Sequence, residues 1–283
     1  MNCEWPPKLV EELANRRAII FVGSGLTSSC VDENGNRPPS WDSFIKNFID
    51  EIKKNGYSKK SIKFIEQQYS QKNYLMALQA IFSLSNSSTY SHFLKRQFDV
   101  DVNPSEAYKC LIDIDSDIVI STNFDQVLDR LYSSVAGYVV ANYDDYSRII
   151  ENIKSPKKLL IKAHGSIDDT TKMIFTSEEY FRIRRENSAF YEILKSLFMV
   201  HSVLFIGYSL NDPDIQLILE SLADLSVISV PNHILLQKGD AHEEMIKYWK
   251  NVYNIEVIEY DGENYENFIP ALKKLRDEVQ ELR

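Results

Sequence analysis

A chain of 283 residues with 44% hydrophobic and 26% charged residues has the balance of an ordinary globular protein, and its length allows one large domain or two modest ones. The formal charge of −9 argues against broad attraction to nucleic acid or to an anionic membrane. No apolar run reaches the roughly 18 residues of a membrane helix, and the N-terminus lacks the apolar core of a signal peptide, so a cytoplasmic protein is expected.

In chain order, residues 8–16 predict a helix, and AIIFVGSG then reads as a buried strand that breaks into a glycine turn. From Trp41 to about Leu111 the pattern is helical. FIKNFIDEIKK, SIKFIEQQY, NYLMALQAIF and YSHFLKRQF each carry apolar residues three and four apart. Strand-like runs follow in DIVIST, GYVVAN, KLLIKAHG, KMIFTS, SVLFIGYS, NHILLQ and IEVIEY. Helices such as DQVLDRLYSS, AFYEILKSLFMV, DPDIQLILESL and HEEMIKYWKNVY fill several of the gaps. This alternation predicts a Rossmann-like, doubly wound, mainly parallel α/β sheet. The whole chain, 1–283, is read as a single domain with a helical insertion at about 40–112. The basic run RIRR, residues 182–185, reads as a solvated helix face or a local phosphate or partner contact.

Four polar turns end apolar strands and carry the chemistry. IIFVGSGLTSS places Gly23, Ser24, Gly25 and Thr27 where backbone N–H groups can approach a phosphate, although Ser28 stands where a dinucleotide fingerprint has its third glycine. DIVISTNFDQVLDR ends a strand at Thr122 and brings Asn123 and Asp125 to the start of a helix, where one of them can serve as its cap. KKLLIKAHGSID sets His164 and Gly165 at a strand end. SVLFIGYSLNDPDI breaks at Gly207, and Ser209, Asn211 and Asp212 lead into a helix near Pro213. In a parallel sheet all four turns share one edge, the edge where such folds hold ligands. Cys3, Cys30 and Cys110 form no CxxC pair, so a disulfide framework or a cysteine zinc ribbon cannot be built from them.

Taken in order, GSG at residues 23–25, STNFD at 121–125, HG at 164–165 and GYS at 207–209 resemble the Gly-Ala-Gly, Thr-Gln-Asn-Ile-Asp, His-Gly and Gly-Thr-Ser motifs of the sirtuin (Sir2) family. Two features of the deacylases are missing: their four-cysteine zinc ribbon, and the Gly-Ile-Pro-Asp-Phe-Arg segment, where this chain has VDENGNRPPSWDSF. The chain is closer to the Sir2-like domains of bacterial antiphage defence, which its Pro-Ser-Trp at 39–41, SLNDPDI and YNIEVIEYDGENYENFIPALKKL also resemble.

The resemblance implies an NAD+ hydrolase that releases nicotinamide and ADP-ribose, depletes NAD in infected cells and needs no zinc. It assigns Asn123 to the ribose and water, His164 to the role of base, and Asp125 to positioning both. It gives Gly23, Ser24, Gly25 and Thr27 to the pyrophosphate and Gly207 and Ser209 to the adenosine side, with Thr122 also in the binding set. A homo-oligomer is expected, with an ATPase, an Argonaute or a sensor domain as possible regulatory partner. A non-catalytic NAD or ADP-ribose sensor, or a protein ADP-ribosyltransferase or deacylase, are the alternatives.

Overall fold

The computed structural model describes residues 3–134, 138–223 and 231–283. Among these residues, seven parallel strands form one sheet: β1 (Ala18–Val22), β2 (Ile118–Ser121), β3 (Tyr138–Asn142), β4 (Lys158–Lys162), β5 (Ser202–Ile206), β6 (Asn232–Gln237) and β7 (Ile255–Tyr260). Their spatial order is β3-β4-β2-β1-β5-β6-β7. The chain runs from β1 to β2 on one side, and from β5 to β6 on the other. The topological switch therefore lies between β1 and β5, where open α/β sheets hold their ligands.

Every residue of β1 and β5 is buried, because helices cover both faces. The two-residue period of a strand divides β1 between them: Ala18, Ile20 and Val22 join one core, Ile19 and Phe21 the other. The first core is closed by α1 (Pro7–Ala14) and, further along the chain, by a late helix over Leu272 and Leu275. A one-turn helix, α2 (Ser24–Thr27), follows the first glycine turn.

Helices α3 (Trp41–Lys54), α4 (Lys59–Ser70), α5 (Tyr74–Leu84) and α6 (Ser87–Phe98) come next and gather around a third core of Phe44, Phe48, Ile81 and Leu94. Ser40 caps α3 by accepting from the Ser43 N–H, and Asn86 caps α6 through Thr89. Then come α7 (Glu106–Ile114), α8 (Val127–Ser133), α9 (Tyr146–Ile153), α10 (Ser177–Glu186), α11 (Ser188–Val200), α12 (Pro213–Ala223), α13 (Glu243–Tyr253) and α14 (Phe268–Glu281). The last of these supplies Leu272 and Leu275 to the first core.

The expected strand KMIFTS does not form. Residues 173–176 join no ladder, and their N–H groups find other acceptors: Ile174 donates to the His164 carbonyl, and Phe175 and Thr176 to the Glu179 carboxylate that caps α10. Their side chains divide between two cores, Met173 and Phe175 in the third and Ile174 in the second, so the run joins two cores instead of extending the sheet. Gly137, at the start of GYVVAN, lies outside the described residues, and β3 begins at Tyr138.

Candidate active site

The turns after β1, β2, β4 and β5 lie together at the carboxyl edge of the sheet. The glycine turns hold each other. Gly25 donates its N–H to the Gly207 carbonyl at 2.9 Å, and Gly23 donates to Ile206 at 3.1 Å. A Cβ on Gly23 would come within 2.6 Å of the Gly207 oxygen, and one on Gly207 within 2.4 Å of the Leu26 nitrogen. Gly207 also has φ +60°, which side chains rarely accept. The glycine spacing is therefore required by the contact between the β1 and β5 turns. Ser24, Gly25 and Ser209 are exposed on their rim, and Thr122 is half-buried.

Asn123 is 6% exposed and held from three sides. Its N–H donates to Ser121 Oγ at 3.1 Å, and its Nδ2 donates to the Gly23 carbonyl at 3.1 Å and to Thr27 Oγ1 at 3.0 Å. Thr27 Oγ1 in turn donates to Asp125 Oδ2 at 2.9 Å and lies 3.0 Å from Tyr108 Oη. With its one proton on Asp125, the threonine hydroxyl accepts from both Asn123 and Tyr108. Thr27 is thus committed to supporting Asn123. The remaining Asn123 atom, Oδ1, is buried and has no hydrogen-bond partner among the described residues.

Asp125 also accepts the Val127 N–H at 3.0 Å, tying down the entry to α8, which begins at Val127. Below the turn lies Lys162, fully buried, with Nζ 2.7 Å from the Asp125 carbonyl and 3.0 Å from Asp129 Oδ1. Burial raises the Asp129 carboxyl above its ordinary range, against the pull of Lys162. Phe124, between the two polar residues, points the other way. It packs on Phe175 with ring centroids 4.1 Å apart and on Phe98 at 5.2 Å, joining the turn to the helical block.

His164 is 8% exposed, and Gly165 behind it has φ +82° and no room for a Cβ beside the Lys172 carbonyl. Its Nε2 lies 2.8 Å from Asp212 Oδ2. Asp212, not Asp125, is the carboxylate that meets the histidine. Its Oδ1 accepts the N–H groups of Asp214 at 2.8 Å and Ile215 at 3.2 Å, at the start of α12, and Tyr180 Oη reaches Oδ2 at 3.4 Å. Burial alone would raise this carboxyl; the His164 charge, its hydrogen bond and the two amides outweigh burial and hold it below the usual range.

Next to it, burial pushes Asp214 up to about 6, the Asp212 charge adding to the effect while a hydrogen bond from Tyr191 and the Arg184 guanidinium oppose it. Arg184 of the basic run thus faces inward to Asp214, while Arg182 and Arg185 are exposed. Among the described residues no three His, Cys, Asp or Glu side chains gather as a metal site, and the three cysteines are buried free thiols.

Three participants escaped the sequence reading. Asp212 stands in the sequence only as one of three polar residues leading into a helix, whose first amides it does accept. Tyr180 lies on α10, with nothing local to mark it. Lys162 did leave a signal, as the one charge in an aliphatic run two residues before His164.

Comparison with known proteins identifies the family. The SIR2-like domain family model matches residues 117–258, about half of the chain. Defense-associated sirtuin 2 of Bacillus subtilis is 24% identical over 251 residues, 86% of this chain and 23% of that protein. The NAD(+) hydrolase ThsA of Cytobacillus dafuensis is 23% identical over 231 residues, 80% of this chain and 42% of that one, and ThsA of Enterococcus faecium is 22% identical over 215. The chain spans less than half the length of each of these relatives. Its parallel sheet with the switch between β1 and β5, its paired glycine turns and this family match lead to one conclusion: the chain belongs to the SIR2-like family.

Proposed function

We propose that this chain is an NAD+ hydrolase module that cleaves NAD+ to nicotinamide and ADP-ribose and acts as an NAD-depleting effector of antiphage defence, to the point of abortive infection. The observation that carries the proposal is Asn123. Both Nδ2 protons are occupied and Oδ1 is buried without a partner, so a fixed acceptor is presented beside the His164 turn. Most buried side-chain polar atoms are hydrogen-bonded, so the unpaired Oδ1 at this strand end is an acceptor left for a ligand. The names of the relatives, NAD(+) hydrolase and defense-associated sirtuin, support the same reading.

Nicotinamide leaves NAD+ as a neutral molecule, so the leaving group needs little acid help. The demand is to hold the ribose and stabilise an oxocarbenium-like transition state. In this reading Asn123 Oδ1 accepts from a ribose hydroxyl or from the attacking water, and His164 is the base. Imidazole, which can donate from one ring nitrogen while the other accepts a proton, suits that role. The exposed Ser24 and Ser209 on the glycine rim, with Gly23, Gly25, Gly207 and Thr122, line the nucleotide, and Thr27 and Asp125 act behind Asn123. Unchecked NAD loss would harm the host, so activity is gated by homo-oligomer assembly or by a regulatory partner.

The test is incubation of the purified chain with NAD+ over a range of protein concentrations, with nicotinamide and ADP-ribose followed by chromatography. His164→Ala and Asn123→Ala should each lower turnover on the order of 10² to 10⁴-fold while the far-ultraviolet dichroism stays native. Wild-type turnover in either variant removes that residue from the mechanism. A turnover per chain that rises steeply with concentration supports gating by assembly.

A further inference from the structure

We propose that Asp212 is a positioning residue of this site: it fixes His164 as the tautomer protonated on Nε2, which makes Nδ1 the atom that takes the proton. The inference rests on the reading of His164 as the base of NAD+ hydrolysis, and it names both the reacting atom and the group that selects it.

The geometry leaves the proton one place. A carboxylate is acceptor-only, so the hydrogen between Asp212 Oδ2 and Nε2, 2.8 Å apart, belongs to the imidazole. Neutral imidazole carries a single N–H, so Nδ1 keeps its lone pair, and it has no hydrogen-bond partner among the described residues. Nor is the carboxylate free to turn away. Oδ1 is occupied by the Asp214 and Ile215 amides, while Oδ2 is shared between His164 and the Tyr180 hydroxyl.

The ring is fenced as well. Phe124 lies 6.4 Å from it, and Tyr180 meets it edge-on at 5.5 Å. The other buried acid nearby, Asp214, is engaged with Arg184 and Tyr191 and does not compete for Nε2. A capping residue needs only the amides at the start of its helix; it does not need a histidine on its second oxygen.

In the step itself the attacking water loses a proton to Nδ1 as its oxygen bonds to the anomeric carbon, and the electron pair of the breaking C–N bond leaves with nicotinamide. The imidazolium so formed faces a buried carboxylate at hydrogen-bond distance, which stabilises the charge where it develops. The proton then passes to bulk water and returns the histidine to its starting form.

Asp212→Asn is the discriminating variant. Asparagine keeps the shape and an oxygen for the Asp214 and Ile215 amides, but presents N–H to Nε2 and so favours the opposite tautomer. Replacing the carboxylate behind a histidine base by an amide costs about 10⁴ in the best-studied triad, so a loss of 10² to 10⁴ in kcat is expected here, with KM changed less than about threefold. In ¹⁵N-histidine-labelled protein the neutral His164 ring should give the Nε2–H pattern in the wild type and the Nδ1–H pattern in the variant. An Nδ1–H wild type, or a variant with unaltered tautomer and kcat, overturns the proposal, and the wild-type spectrum decides the tautomer even if the variant does not fold. A wild type with Nε2–H and no cleavage of NAD+ upholds the pairing and sinks the hydrolase reading instead.

Discussion

At the scale of single residues, the site is a set of close approaches that only particular side chains permit. Gly207 is the strictest. Alanine there would hold a left-handed backbone, at about 1–2 kcal/mol, and would also bring a Cβ to 2.4 Å from the Leu26 nitrogen. Gly207→Ala should therefore lower the unfolding free energy by more than about 2 kcal/mol in a denaturant titration. A loss below about 0.5 kcal/mol would show that the two glycine turns do not hold each other as described. The glycines were legible in the sequence as a place of close approach. What they approach was not: the spacing suggested a phosphate, and the structure adds a neighbouring turn 182 residues further along, from Gly25 to Gly207. Asp212 is a similar case: the sequence shows only that it leads into a helix, because a local motif reveals the local use of a side chain and hides the distant one.

At the scale of elements, the helices α3 to α6 and the sheet meet at the Asn123 turn through Phe124. Phe124→Ala should cost about 3–5 kcal/mol, as for other buried aromatic truncations, and should also release the turn that carries Asn123. Phe48→Ala, deep in the helical core, removes a fully buried ring of the same size without touching that turn. Below its melting temperature Phe48→Ala should retain NAD+ turnover per folded molecule, while Phe124→Ala should lose it. Equal turnover in the two variants would separate Phe124 from the site. The helices of this block were legible because apolar residues recur three and four apart. KMIFTS forms no strand because a short apolar run does not reveal what its N–H groups will meet: the His164 carbonyl takes that of Ile174, and the capping carboxylate of Glu179 takes those of Phe175 and Thr176.

At the scale of the whole molecule, stability depends on groups far from the site. His233, buried on β6, has its Nδ1 without a partner among the described residues, and burial pushes its pKa down from 6.5 to about 4 against the weak pull of Glu256. The unfolded chain takes up this proton as the pH falls below 6.5, whereas the folded chain refuses it until about 4. The linkage therefore lowers stability as the pH falls through that window. His233→Gln should lose about 1–3 kcal/mol less than the wild type between those two values in urea titrations, and parallel curves would refute the assignment.

The sequence by itself determined the α/β class, most of the strands and helices, and the four polar turns at the strand ends, because periodicity and turn chemistry act over a few residues. It also placed Asn123 and His164 at strand ends, where a doubly wound fold presents its chemistry. Only the tertiary structure decided the partners. Thr27 and Asp125 support Asn123, Lys162 holds their turn from below, Asp212 and Tyr180 meet His164, and the GSG turn needs its glycines because Gly207 lies against it. Those pairings include residues 16 positions apart, Tyr180 and His164, and others 182 apart, Gly25 and Gly207. They arise when parallel strands stack side by side, a contact for which no local pattern carries a signal.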